Sequence, residues 1–164
     1  MIPSLARILF ATALSERSDM TLRQVLGLAA ATGAEVRILH VVEPLSEDAR
    51  LTLMSAVQDD AVRQAALSQR LGTARQRLDQ QLARFWSSLG PGTQQFRESV
   101  TAVEVVEGFP AEMILRKAAA HACDRIVLGA HERAITHTFL GSIAKGVLRH
   151  ARIATLVVPF RSEA

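Results

Sequence analysis

The chain has no tyrosine, one tryptophan and one cysteine, and aromatics make up only 4% of its 164 residues. A core made from such a sequence must be built of Leu, Val, Ile and Ala. The lone Cys123 excludes an intramolecular disulfide and agrees with a reducing compartment. In Ala122-Cys123-Asp124, ahead of an apolar strand, it is expected to be a buried structural thiol. Lysine is scarce too, since seventeen of the nineteen basic residues are Arg. The pI near 10.0 therefore overstates a net charge of only +3. That excess, with few aromatics interleaved, is too small for a nucleic-acid-binding domain, and no such partner is expected. Long apolar runs are also missing. Leu9 to Leu14, preceded by Arg7, is too short for an export signal or a membrane span, so a first strand in a cytoplasmic protein is expected. The chain has no Gly-x-x-x-x-Gly-Lys-Ser/Thr loop, no Gly-x-Gly-x-x-Gly and no Gly-x-Ser-x-Gly elbow.

What remains is an apolar fraction of 49%, enough for one packed domain over residues 1–164. Leu5 to Ala11 reads as a strand buried on both faces. Ser15 to Ser18 supplies helix-start chemistry, Leu22, Val25, Leu26, Ala29 and Ala30 form one apolar helical face, and Gly33 suits a left-handed cap. Val36 to Val42 is the second strand, which completes a βαβ unit and forces parallel pairing. Residues 51–89 contain no proline and carry a stripe of Leu71, Ala74, Leu78, Leu82, Phe85 and Leu89, ended by Gly90-Pro91-Gly92. A third strand is expected over Glu98 to Glu107, a helix from Ala111 to Ala122, a fourth strand over Arg125 to Gly129, a helix from Ile143 to Ala151 and a fifth strand over Ile153 to Val158. The pattern predicts an α/β fold: an open, doubly wound, five-stranded parallel sheet with helices on both faces.

The most informative stretch is Ile126 to His131, followed by Leu140-Gly141-Ser142-Ile143-Ala144-Lys145. It reads as a buried strand ending at Gly129, then a loop, then a helix opened by Gly141-Ser142. Such a corner sets free backbone N–H groups and a helix dipole at the carboxyl end of a strand, where phosphates sit in open α/β sheets. Ser142 has no base supplied by the sequence, so its hydroxyl is expected to act as a helix cap or anion donor and not as a nucleophile.

Taken in order, several segments resemble the universal stress protein family over nearly the whole chain. They are Arg7 to Ser15, Leu39-His40-Val41-Val42, Gly108-Phe109-Pro110-Ala111, Asp124-Arg125-Ile126-Val127-Leu128-Gly129, Leu148-Arg149-His150-Ala151 and Leu156-Val157-Val158-Pro159. The resemblance implies a Rossmann-like fold of the adenine nucleotide alpha hydrolase type. It also implies a stress-response role. In family members that bind ATP, an Asp ending the first strand and a Val ending the second hold adenine, while a Gly-x-x-Gly-(nine residues)-Gly-Ser/Thr loop holds ribose and phosphates. Val41, Gly129, Gly141 and Ser142 match. Ala13 stands where the Asp is expected, removing a charged acceptor worth about 1.5–3 kcal/mol. Glu132 replaces the second loop glycine, and at about 5 Å from a phosphate it would repel each unit charge by about 3 kcal/mol at a dielectric near 20. The loop from Glu132 to Gly141 has eight intervening residues instead of nine.

These departures predict a regulatory or interaction module with a degenerate nucleotide site, no robust ATP binding, no resident cofactor and no enzymatic turnover. The alternative is an ATP- or AMP-binding stress sensor with a remodelled phosphate loop. Expected partners are a second copy of the chain, paired through the uncharged last strand with Val157 as a candidate contact, and an unidentified protein. A weak anion or nucleotide ligand at Gly141-Ser142 is also expected. His131 and His137, beside Glu132 and Arg133, fit no metal-ligand spacing and are read as solvated loop. His40 is read as a satisfied half-buried residue, His150 as a polar contact at a helix end, and His121 as a partner of its helix dipole. Arg63, Arg70, Arg77 and Arg84 recur every seven residues and are read as a solvated face opposite the leucine stripe, with a docking face for an acidic partner as the other reading.

Overall fold

The computed structural model of the chain describes residues 2–130 and 140–160. In chain order the elements are β1 (Arg7–Ala11), α1 (Ser18–Thr32), β2 (Glu35–Val42), α2 (Glu47–Ala56), α3 (Asp60–Ser88), α4 (Gln94–Ser99), β3 (Val100–Glu107), α5 (Pro110–Ala120), β4 (Arg125–Gly129), α6 (Ser142–His150) and β5 (Ala154–Val158). The five strands form one sheet in the order β3-β2-β1-β4-β5, with every pair parallel. This is the doubly wound α/β sheet that the strand–helix alternation predicts.

Alternate strand residues feed two cores. Ile8, Phe10, Val36, Ile38 and Val127 pack with Leu22, Val25 and Leu26 of α1 and with Leu78 and Phe85 of α3. Leu9, Leu39, Ile126 and Leu128 pack with Ile114 and Ala118 of α5 and with Ala144 and Val147 of α6. Cys123 is buried in this second core, and desolvation raises its thiol pKa, so it is the inert structural thiol expected. A β-carbon on Gly146 would lie 2.9 Å from the Ala111 methyl, so α5 and α6 meet where only glycine fits. Gly33 takes the left-handed conformation (φ 74°) and returns its N–H to the Ala29 carbonyl at 2.8 Å, ending α1 as expected.

Two of the predicted boundaries move. The helical pattern over 51–89 is two helices, because Asp59 supplies a competing cap: its carboxylate accepts from the N–H groups of Ala61 (2.8 Å) and Val62 (3.3 Å). Ser46 starts α2 in the same way, accepting from Ala49 at 3.2 Å, and α2 buries no residue. Glu98 and Ser99, expected in the third strand, end the short helix α4, whose Phe96 packs on the α1/α3 core. Gly72 does not interrupt α3.

The arginine stripe is not a uniform solvated face. Burial along α3 begins only at Ala74, and the preceding turns run beside the carboxyl ends of β2 and β3. There Arg70 donates to the Glu43 carbonyl at 2.6 Å and pairs with Glu107 at 3.2 Å. Arg63 donates to the Val57 carbonyl at 2.7 Å and pairs with Asp60. An aliphatic stem long enough to reach back to the chain turns an outward position into a tether. His121 likewise has more than its helix dipole, since its Nε2 lies 3.2 Å from Glu104. Lys117 at 2.8 Å and Arg37 at 3.5 Å complete this cluster, and the Lys117 bond is the main cause of the lowered Glu104 pKa.

At the amino ends of the strands, Asp124 accepts from the N–H groups of Ala6 (2.8 Å) and Arg7 (2.7 Å), joining β1 to the start of β4. These two bonds, before any other cause, lower the carboxyl pKa. A depressed carboxyl pKa adds stability above the unfolded value of about 3.9 and loses it as pH falls through the lower folded value. Asp124→Ala should cost about 1–2 kcal/mol at neutral pH after allowance for solvent screening. Urea unfolding should show that the variant and the parent converge at acid pH, below both pKa values. A gap that persists there would assign the loss to something other than the charge.

Candidate functional site

The carboxyl edge of the sheet is where the chain reverses direction between β1 and β4. A crevice at such a switch point is the expected ligand position in open α/β sheets. Thr12 extends β1 by one bond, from its N–H to the Leu39 carbonyl at 2.9 Å. The Thr12 carbonyl faces Nδ1 of His40 at 2.8 Å. A carbonyl only accepts, so Nδ1 carries the proton and Nε2 is the free acceptor. Burial lowers the His40 pKa, partly opposed by this bond, so the ring is neutral at pH 7. Leu14 follows with φ 63°, a left-handed conformation uncommon for a leucine, and its N–H meets the Thr12 hydroxyl at 3.3 Å.

On the β4 side, Ala130 donates to the Val158 carbonyl at 2.8 Å, and Gly141 donates to the Ala130 carbonyl at 2.7 Å. The second bond brings the end of β4 against the start of α6. Gly141 is the cap residue of α6 and contributes no side chain, so Ser142 occupies the first helical position and, of the two roles expected for its hydroxyl, cap or anion donor, it does not fill the first. Among the described residues, the first turn of α6 thus presents backbone donors without a side-chain acceptor, and exposed Lys145 lies in the same turn.

The residues matched by resemblance reach this edge from three elements. Val41 is half-buried near the end of β2 and packs with the α5/α6 core, Gly129 ends β4, and Gly141 and Ser142 open α6. Ala13 lies in the turn after β1, between them in the strand order. Val41 and Gly129 are two strands apart, about 10 Å by strand spacing. His131, Glu132, Arg133 and His137 lie outside the described residues. Among the described residues, no group of three His, Cys, Asp or Glu side chains could hold a metal ion. His150 makes its polar contact at the helix end, Nδ1 to the Gly146 carbonyl at 3.0 Å.

Sequence reasoning missed Phe160. A β-carbon on Gly129 would lie 2.6 Å from Phe160 Cζ, so the ring rests on the glycine where β4 ends. The guanidinium of Arg17, at the start of α1, lies 5.2 Å from the ring centroid, within cation–π range. Phe160 is therefore held between the end of β4 and the amino end of α1. The available signal was an aromatic directly after Pro159 in an aromatic-poor chain. Gly129 thus has a steric reason of its own to be glycine.

Gly129→Ala should destabilise the protein by about 1–3 kcal/mol through overpacking against this ring. In a Phe160→Ala background the same substitution should cost far less, as read from a double-mutant cycle by urea unfolding. Equal costs in both backgrounds would show that the ring is not what constrains position 129.

The model of the universal stress protein family matches residues 5–159. No curated protein matches the sequence. Among solved structures, the chain is similar to the hypothetical protein MJ0577, with 19% identity, 98% of this chain and 100% of that one covered, and a TM-score of 0.72. It is similar to the universal stress protein UspA from Lactobacillus plantarum, with 20% identity, coverage of 96% and 99%, and a TM-score of 0.66. It is also similar to a universal stress protein in complex with cAMP, with 18% identity, coverage of 96% and 98%, and a TM-score of 0.54. At these identities the structures establish a shared fold. With the family match spanning nearly the whole length, the chain belongs to the universal stress protein family.

Proposed function

We propose that this protein is a dimeric, cytoplasmic regulatory or interaction module of its family that works by binding, without turnover and without robust ATP binding. The observation that carries the reading is the acceptor-poor crevice. Ala13 supplies only a methyl where the family resemblance implies a carboxylate. Glu132 adds a charge in the loop after Gly129 by sequence.

The dimer rests on β5. Among the described residues this strand pairs only with β4 and has an open outer edge; it contains no charged residue, and such edges need covering. Antiparallel pairing with its twin about a two-fold axis would close both edges. Val157 packs into the α5/α6 core and is unsuitable as an interface probe, whereas Leu156 is 42% exposed. Light scattering should give a dimer mass at micromolar concentration, and Leu156→Lys should shift it toward monomer. A monomeric parent protein would reject the assembly.

The second reading, an adenine-nucleotide sensor, is favoured by the relative in complex with cAMP and by the first turn of α6, which has no side-chain acceptor among the described residues. Calorimetry separates the two. The natural protein should show no ATP binding tighter than about 100 μM, near −5.5 kcal/mol. Ala13→Asp combined with Glu132→Gly should recover measurable affinity. Tight ATP binding by the unmodified protein would overturn the first reading in favour of the sensor.

A further inference from the structure

A cleft of about 420 Å³ opens between α3 and the ends of β1 and β2. Its α3 wall is Ala66, Gln69, Arg70, Thr73, Ala74 and Arg77, spaced along one helical face. Its other wall is Leu14, His40 and Val42. It borders the crevice described above through Leu14 and His40 but opens elsewhere. Val41 packs with the α5/α6 core and Leu14 with the α1/α3 core, so the cleft opens on the opposite face of the sheet.

Small side chains on α3 leave this space open, and its size falls within the range of about 300–1,000 Å³ usual for small-molecule sites. Among the described residues no carboxylate lines it, while two arginines do. Arg70 is held in place by the Glu43 carbonyl and by Glu107, which uses two of its five N–H donors and partly balances its charge. Arg77 makes no hydrogen bond or ion pair among the described residues. His40 has its Nδ1 proton committed to Thr12, which leaves Nε2 as an acceptor beside apolar Leu14 and Val42. Gln69 and Thr73 add neutral donors.

We propose that this cleft is a second ligand site, taking a compact molecule with an apolar ring body and one oxyanion head, a phosphate monoester or a carboxylate. Arg77 is the principal anchor of the head, Arg70 supports it, and Leu14, Val42 and Ala66 enclose the body. The site shares Leu14 and His40 with the rim of the nucleotide crevice, but its anchor, Arg77, and its α3 wall belong to neither the crevice nor β5, so neither reading above stands or falls with it.

Phenyl phosphate, benzoate and inorganic phosphate are the probes, each titrated at low salt into the full-length protein and followed by amide chemical shifts. One of the two aromatic anions should give saturable shifts at Leu14, Thr73 and Arg77, and the preferred one identifies the head. It should bind at least about tenfold more tightly than inorganic phosphate. It should also raise the titration midpoint of the His40 ring, because a nearby anion favours the imidazolium. Arg77→Gln and the space-filling Thr73→Trp, both at exposed helical positions, should weaken binding about tenfold or more with the fold intact by circular dichroism. Arg84→Gln, on the same stripe but outside the cleft, should leave it unchanged. Shifts confined to Gly141–Lys145, unchanged affinity in Arg77→Gln, or no saturation by about 20 mM would overturn the proposal.

Discussion

β1 has a hydrogen-bonded neighbour on each side and a helical layer on each face, so Ile8, Leu9 and Phe10 are almost wholly removed from water. One short strand therefore sits in both cores at once. Each such side chain contributes about 1.5–3 kcal/mol on burial, and its alternation fixes which residues of β2 and β4 face which helical layer. The central position of β1 also makes the chain leave it in one direction and return in the other, which opens the crevice at its carboxyl end. Ala13, Leu14 and the Thr12–His40 bond are all consequences of how β1 ends.

Much of this fold was legible because parallel strands buried on both faces are written as short β-branched runs. Val36 to Val42 and Arg125 to Gly129 needed no more than that. Gly33 and Gly90-Pro91-Gly92 marked helix ends through conformations that other residues take only at a cost. The break between α2 and α3 was not legible, because Asp59 is as compatible with a solvent-facing helical position as with a cap. Only its two accepted N–H bonds decide the matter. The strand assignment of Glu98 and Ser99 failed for a similar reason, since tertiary packing of Phe96 outweighs local preference over so short a segment.

The site was legible in its backbone but not in the side chain that packs on it. Gly129, Gly141 and Val41 lie on the edge that the spacing indicates, because strand ends and helix starts are set by local rules. Phe160 arrives from the far end of the chain, and no periodicity reports a contact with a glycine thirty-one positions earlier. The arginines show the same limit. A seven-residue repeat gives the side of a helix, yet whether Arg70 meets water or the Glu43 carbonyl depends on where the strands stop.

The bond from the Gly141 N–H to the Ala130 carbonyl joins two residues that flank a ten-residue excursion of the chain. Because Ala130 and Gly141 are already fastened to each other, the end of β4 and the start of α6 stay together whatever the length of chain between them. Lengthening such a loop adds only slowly to the entropy of closure, about 0.6 kcal/mol for each doubling. The carboxyl edge of β4 is therefore a natural graft point, where a foreign peptide could be displayed on a scaffold whose strand register is set elsewhere.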